Sequence, residues 1–547
     1  MKYREKTGFF VCLITALLLL LLIAYVSGNG GDNNTDSVPV TVPDVVGQAQ
    51  TAAQREITSA GLTVGRVTQE YSLTIASGNV IRQSPAAGAP GKPGAAVNLI
   101  VSRGADDAVT YQSTTYYVSP SGSDKNDGLS ENNPLKDLAK AIYRMGMGDT
   151  LIVLPGEYEL VDFSAWCRDP YKNRMYLGPE GGSAVVRTTI KGKSGQERPR
   201  ITARNSAGYV TGLTFNNARG LTLEHLDVHG GVGYGTYMIY RDCVIGGEGT
   251  VYAISAGHHN ALIENNYIHD IYGGNDAIGI YISGNDNIIR GNFFKNMEEH
   301  AINSNTYGSG KNNYPSSGWI IEQNYITQTG GHGIGLQNVQ NSVIRNNILV
   351  NIGSQAISFG GNVFPDKNIQ IIGNTIYNFE KKGFYGFFFI NEIDGIFIAN
   401  NILVHHNPVA FLHPDTQLSN KKMQTYTFRN NIYYNPASKD GRLFITDEDK
   451  GKFLRLKEWQ EFTAKVLGDG IGLDQGSKNV DPLVISPPYS GNDYLEYDIQ
   501  SHINMQLTGK SPAIDAGMNV DLSHDIIGNT RPQNEKYDIG AYEYIGK

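Results

Sequence analysis

Four segments of this chain share a pattern that could carry acid–base chemistry: GGNDAIGIY, MEEHAINSN, GGHGIGLQN and GSQAISFGG. Aligned on the small residue and isoleucine of each, Asp276, His300, His332 and Gln355 fall at one position. A histidine titrates near neutrality, so His300 or His332 can take a proton, and Tyr281 or Lys295 can return one to a leaving oxygen. A second set, three residues after a recurring asparagine, comprises His269, Lys295, Thr327 and Val350, with Glu298 and Glu299 between the two sets. These residues suit two reactions. Abstraction of the proton beside a uronate carboxylate requires that carboxylate to be neutralised by Lys295, Arg290, Asn303 or a bound Ca2+. Asp270, Asp276 and Asp286 are the expected calcium ligands. Hydrolysis by a carboxylate pair would instead use Glu298 or Glu299 with Asp276. His269, Asp276, Glu298, Glu299, Asn303, Gln337 and Gln355 are candidate substrate contacts. Tyr307 and Tyr314, in the long insertion 306–318, could stack on sugar rings.

Such columns exist only if successive coils stack in register. The segments IENNYIHD, IRGNFFKN, IEQNYITQ, IRNNILVN, IGNTIYN, IANNILVHHN and FRNNIYYN place asparagines at 266, 292, 324, 347, 374, 401 and 431. Their intervals are 26, 32, 23, 27, 27 and 30 residues. A period of roughly 20–50 residues marks a solenoid, whose units bury their apolar face only by stacking. The units are rich in Ile, Val, Phe and Tyr, so each is a coil of short strands. Stacked asparagine amides can donate to and accept from one another about 4.8 Å apart, which makes the ladder structural.

Composition limits the partners. Of 547 residues 40% are hydrophobic and 18% charged, with a net charge of −8, which argues against nucleic acid as the main partner. A polyanionic sugar would need a local basic patch or a bridging cation to dock. At the N-terminus Lys2, Arg4 and Lys6 precede an uncharged apolar run from Phe9 to Val26. This predicts a signal anchor or signal peptide over 1–26, the rest of the chain lying outside the cytoplasm. Cys167 and Cys243 follow it, and whether they pair is open. Polar, glycine-rich linkers are expected at 27–37 and 104–114.

Between the linkers, VPDVVGQ, AGLTVG and QSPAAG resemble a PASTA domain over 38–103, with a helix expected from Ala49 to Ala60. That resemblance implies a small α+β extracytoplasmic module and association with peptidoglycan. Further on, YYVSPSGSDKNDGLSENNPLKDLAKAI and SPAIDAG…IGNTRPQNEKYDIGAYEY resemble the opening and closing segments of secreted, pectate-lyase-like right-handed parallel β-helix proteins. The expected architecture is therefore all-β: a membrane-anchor helix, a small α+β module, a right-handed parallel β-helix solenoid over 115–440 with an N-terminal capping segment, and a C-terminal region over 441–547 that closes it. Amphipathic helices are expected near Leu135–Met145 and Phe453–Phe462. The functional expectation is a cell-envelope-anchored polysaccharide lyase acting on an acidic glycan. The alternatives are a glycoside hydrolase on the same scaffold and a non-enzymatic adhesin or wall protein. The arginine-rich motifs of pectate lyases and the Asp-Pro-His motif of alginate epimerases are absent from the sequence, so no family catalytic residue carries over.

Overall fold

A computed structural model describes residues 40–546 apart from 71–74, 86, 89, 105–112, 167–186, 258, 275, 305–314, 361–364, 379–384, 390–392, 406–408, 411–422, 436–441, 446–452, 486–504 and 521. The expected anchor at 1–26, the linker at 27–37, Cys167, Tyr307 and Tyr314 lie outside the described residues. Among the described residues no helix is long and apolar enough to cross a membrane.

The small N-terminal unit packs a helix, Gln50–Ser59, on a three-stranded sheet in the order 63–70, 96–102, 80–84. Ala53 and Ile57 are the buried residues of that helix, as their spacing predicts. The helix interior ends at Gly61, whose φ of 75° suits a residue without a Cβ.

The rest is the coil. Among the described residues its strands form three sheets of 13, 11 and 12 strands, and the coil-to-coil pairings within them are parallel. Each turn of chain contributes one strand to each sheet in sequence. For one coil these are Leu262–Glu264 in the first, Tyr267–Tyr272 in the second and Ile278–Ser283 in the third.

The asparagine ladder sits at the corner between the first and second sheets, and every register asparagine is fully buried. Asn292 Oδ1 accepts from Asn266 N and Nδ2 at 3.0 and 2.9 Å, and the same pattern repeats to Asn431. The residue before each rung is left-handed: Asn265, Gly291, Gln323, Asn346, Gly373, Asn400 and Asn430 have φ between 51° and 63°. That conformation turns the corner, and it favours Gly and Asn over branched residues. Cys243 occupies the rung before Asn266, which accepts from the Cys243 amide at 3.0 Å. Its thiol is buried and pushed up to about 12 by desolvation.

On the outer face of the first sheet one register column alternates in sign: Glu224, Arg241, Glu264, Arg290, Glu322, Arg345. Arg290 is held by Glu264 at 2.7 Å and Arg345 by Glu322 at 2.7 Å. Each charge thus meets its opposite on the next coil, which spares the column like-charge repulsion.

The stack is capped at both ends. At the start, Leu138–Arg144 is helical, and Leu138, Ala141 and Ile142 join the core that contains Val118 and Leu151. At the other end the expected helix at Phe453–Phe462 begins later. Phe453–Arg455 is a strand, and the helix runs Leu456–Leu467. Its Trp459 stacks on Phe444 at 5.1 Å and donates to Asp474. Further on, Met505, Ile526, Ala541 and Tyr542 lie along the outside of the second sheet against Tyr325, Ile348 and Val350. The fully buried Arg531–Glu543 pair, 2.8 Å, ties that cover together, and Arg531 also reaches Asn346.

Candidate functional site

His300 and His332 occupy equivalent places just before adjacent strands of the third sheet, because Ile302 pairs with Ile334 and Asn303 with Gly335. Their rings stack with centroids 4.4 Å apart and planes 2° from parallel. His300 Nδ1 accepts from the His332 amide at 2.7 Å, so in the neutral ring the proton is on Nε2. His332 Nδ1 is buried and has no partner among the described residues. Burial pushes His300 down to about 4. It pushes His332 down to about 3, with His300 adding to the effect. Both rings are therefore neutral at pH 7 and far from the near-neutral value on which proton abstraction was expected to rest. They are suited to hydrogen-bonding, not to holding a proton.

Gln355 continues this column, since Ile334 pairs with Ile357. Its Oε1 accepts from Ser354 Oγ at 2.6 Å. Asp276 does not belong to it. Ile280, not Ile278, pairs with Ile302, so Ile278 stands in register with His300 and Asp276 with Glu298. A slip of two residues keeps every side chain on its own face, so the hydrophobic pattern of DAIGIYIS cannot distinguish the two registers.

This register gathers the carboxylates. Asp276, Glu298 and Glu299 lie together in the turn between the second and third sheets, beside His300. Glu298 Oε2 accepts from the amides of Gly273 and Gly274 at 3.2 and 3.3 Å, which fixes its direction. The Glu299 carboxyl is raised above the usual range, first by burial and then by the charges of Glu298 and Asp276. Gly331 marks where Glu299 meets the histidines. A Cβ there would come within 2.7 Å of His300 Cε1 and 2.9 Å of Glu299 Oε2. Its role is clearance.

Facing outward beyond the histidines, Tyr281, Asn303, Gly335 and Ser358 form one register column. Tyr281 stacks on Tyr252 at 5.2 Å. Asn303 Oδ1 is buried with no hydrogen-bond partner among the described residues. At Gly335 a Cβ would press to 3.0 Å on the His332 ring. Gln337 contributes its backbone, exchanging hydrogen bonds with Ser304 Oγ.

The other expected column, His269–Lys295–Thr327–Val350, is in register but belongs to the second sheet. Thr327 and Val350 are buried there. His269 shares a 2.9 Å hydrogen bond with Asp270, and Asn296 donates to the other Asp270 oxygen. These bonds, that of His269 first, hold the Asp270 carboxyl below its usual value. The expected calcium ligands are not brought together. Asp270 is engaged on the second sheet, Asp276 sits with the glutamates, and Asp286 lies at a corner facing Arg82 of the N-terminal unit. Among the described residues no group of three His, Cys, Asp or Glu side chains is arranged to hold a metal ion. Arg290, paired with Glu264 on the first sheet, is not available to neutralise a substrate carboxylate.

Comparison with known proteins matches both units. Residues 40–103 match the PASTA domain, and residues 211–403 match the right handed beta helix region. The chain joins a PASTA domain to a right-handed β-helix. A stretch of 113 residues is 38% identical to a probable serine/threonine-protein kinase of Clostridium acetobutylicum, covering 20% of this chain and 17% of that protein's length. Among solved structures, a rhamnogalacturonan lyase is 15% identical with a TM-score of 0.42, over 68% of this chain and 90% of its own. Pectate lyase Pel9A is 14% identical with a TM-score of 0.44, over 80% and 98%. A GH136 lacto-N-biosidase from Eubacterium ramulus is 15% identical with a TM-score of 0.37, over 61% and 67%.

Proposed function

We propose that the protein is an extracytoplasmic, glycan-cleaving enzyme of hydrolytic type, with Glu299 as general acid and Glu298 or Asp276 as the second carboxylate. The observation that carries this reading is the raised Glu299 carboxyl, set beside two like charges and two neutral imidazoles. Of two carboxyls, the one whose surroundings favour the protonated form is suited to the general-acid role, and burial with neighbouring carboxylates favours that form. The imidazoles and the Asn303 amide supply hydrogen bonds to sugar hydroxyls. The basic flank and apolar run over 1–26 support anchoring in the membrane, and the PASTA domain supports attachment to peptidoglycan.

The lyase expectation stands behind this reading for two reasons. Elimination needs a base, and burial weakens both histidines in that role. It also needs a neutralised substrate carboxylate, whereas the charges acting on Glu299 are negative. Asp270, Asp276 and Asp286 lie apart and do not form a calcium site together.

The test is product analysis on a panel of neutral and acidic glycans. Hydrolysis predicts new reducing ends without the ultraviolet absorbance of an unsaturated sugar, and Glu299→Gln should lower kcat about 10²–10⁴-fold with little change in KM. Unsaturated products would replace hydrolysis with elimination. A folded protein that cleaves nothing on the panel would refute the enzyme reading.

A further inference from the structure

The PASTA domain and the coil form a half-open cleft of about 320 Å3 at their junction, which Glu299 does not line. Arg66, Arg82 and Asn98 line it from the PASTA side, and His259, Asn285 and Asp286 from corners of the coil. Each wall is organised. Asn98 Oδ1 accepts from the Arg66 amide at 2.7 Å, and Gly65 gives it room, since a Cβ there would crowd the same amide. His259 Nδ1 accepts from the Asn285 amide at 3.1 Å, which leaves Nε2 as the donor of the neutral ring. The Asp286 amide donates to the Ser317 carbonyl at 2.8 Å, and its carboxyl is pushed up to about 6 by burial, with the charge of Arg82 opposing. Arg82 also lies over the Tyr237 ring at 5.3 Å. Arg66 is exposed, and its guanidinium has no carboxylate partner among the described residues. Arg66 and Arg82 thus line the same cleft as Asp286, in a chain of net charge −8.

We propose that this junction is a second binding site, for a sugar residue that bears a carboxylate. A guanidinium fork matches a carboxylate in two parallel hydrogen bonds, and the imidazole N–H and amide groups are suited to ring hydroxyls. The volume is at the small end of ligand sites, about 300–1,000 Å3, which suits a ring and not a chain. The site complements the first, where the charges of Glu298 and Asp276 oppose an acidic sugar. It would hold an acidic envelope glycan at the domain junction while the coil acts on a different unit, and it stands whether or not Glu299 is catalytic.

The test uses the whole protein titrated with D-glucuronate and, separately, with methyl glucoside, followed by calorimetry or ligand-observed NMR. Saturable binding of glucuronate and none of the neutral glucoside is expected. Arg66→Gln should weaken it about tenfold or more without changing the melting temperature, since a charge-assisted hydrogen bond is lost from an exposed residue. Asp286→Asn, which removes the opposing charge, should tighten it. Glu299→Gln should leave it as in the wild type. The proposal is overturned by equal binding of the two sugars, by no binding of glucuronate, by full affinity in Arg66→Gln, or by loss in Glu299→Gln.

Discussion

Gly331→Ala is the most direct probe of the site, because the added atom enters at one known place. Ordinary van der Waals contact begins near 3.4 Å, and the new Cβ would lie 2.7 Å from His300 Cε1. The imidazole must therefore retreat by 3.4 − 2.7, at least about 0.7 Å. It cannot do so freely. Its Nδ1 is held by the His332 amide at 2.7 Å, and its face is packed against the His332 ring 4.4 Å away. Overpacking of this kind costs about 1–3 kcal/mol, which lowers the melting temperature by roughly 2–4 °C per kcal/mol for a domain this large. Displacement of a positioned group by nearly 1 Å costs up to about 10²-fold in rate. The assay is kcat and kcat/KM on whichever glycan the panel identifies, with thermal melting alongside. Gly257→Ala is the matched control, because its Cβ would meet nothing nearer than Ser283 Oγ at 3.7 Å. A Gly331→Ala protein that melts lower yet turns over at the wild-type rate would show that His300 and Glu299 are not at the reacting centre.

Two further outcomes are expected. Asn324 makes four ladder bonds, to Ile289 O and Asn347 Oδ1 and from Asn292 N and Nδ2. At about 1 kcal/mol each, Asn324→Ala should destabilise by about 4 kcal/mol in urea denaturation. Asn266→Ala, at the first asparagine of the ladder, should cost about 1 kcal/mol less, because its Oδ1 accepts only from Cys243 N; equal losses would count against the ladder as a chain of paired amides. The second concerns pH. The folded values of His300 and His332, about 4 and 3, lie below the unfolded value, so the unfolded chain binds protons that the folded one does not. Their contribution is fully present above about pH 6.5 and is lost as pH falls towards 4, by up to about 1.4 kcal/mol per pH unit for each ring. A His300→Gln/His332→Gln double variant should flatten that slope, and an unchanged slope would mean that the rings are not buried neutral.

How much was legible follows from which interactions are periodic. Alternating apolar residues and the repeated asparagine corner are local signals, and they specified the coil of short strands and the placing of His300 and His332 at one position of adjacent coils. The same signals could not choose between Ile278 and Ile280 as the partner of Ile302. A two-residue slip is silent in the pattern, and the longer strand Ile278–Ser283 decided it. The left-handed residue before each rung was a further signal in the sequence, and it would have placed Cys243 at the head of the ladder. Neither Gly331 nor Gly335 announces a site, because clearance depends on what lies opposite.

By itself the sequence determined the fold and the chemical inventory: a PASTA domain, a coil of stacked short strands, and histidines and carboxylates concentrated in a few adjacent coils. The tertiary structure decided the environment of those groups. Burial and stacking moved the histidines away from base chemistry, burial and then neighbouring carboxylates raised Glu299, and the packing of one domain on another set Arg82 opposite Asp286. Composition and spacing are written along the chain, but the free energy of a proton on a side chain depends on solvent and charges brought near by residues distant in sequence.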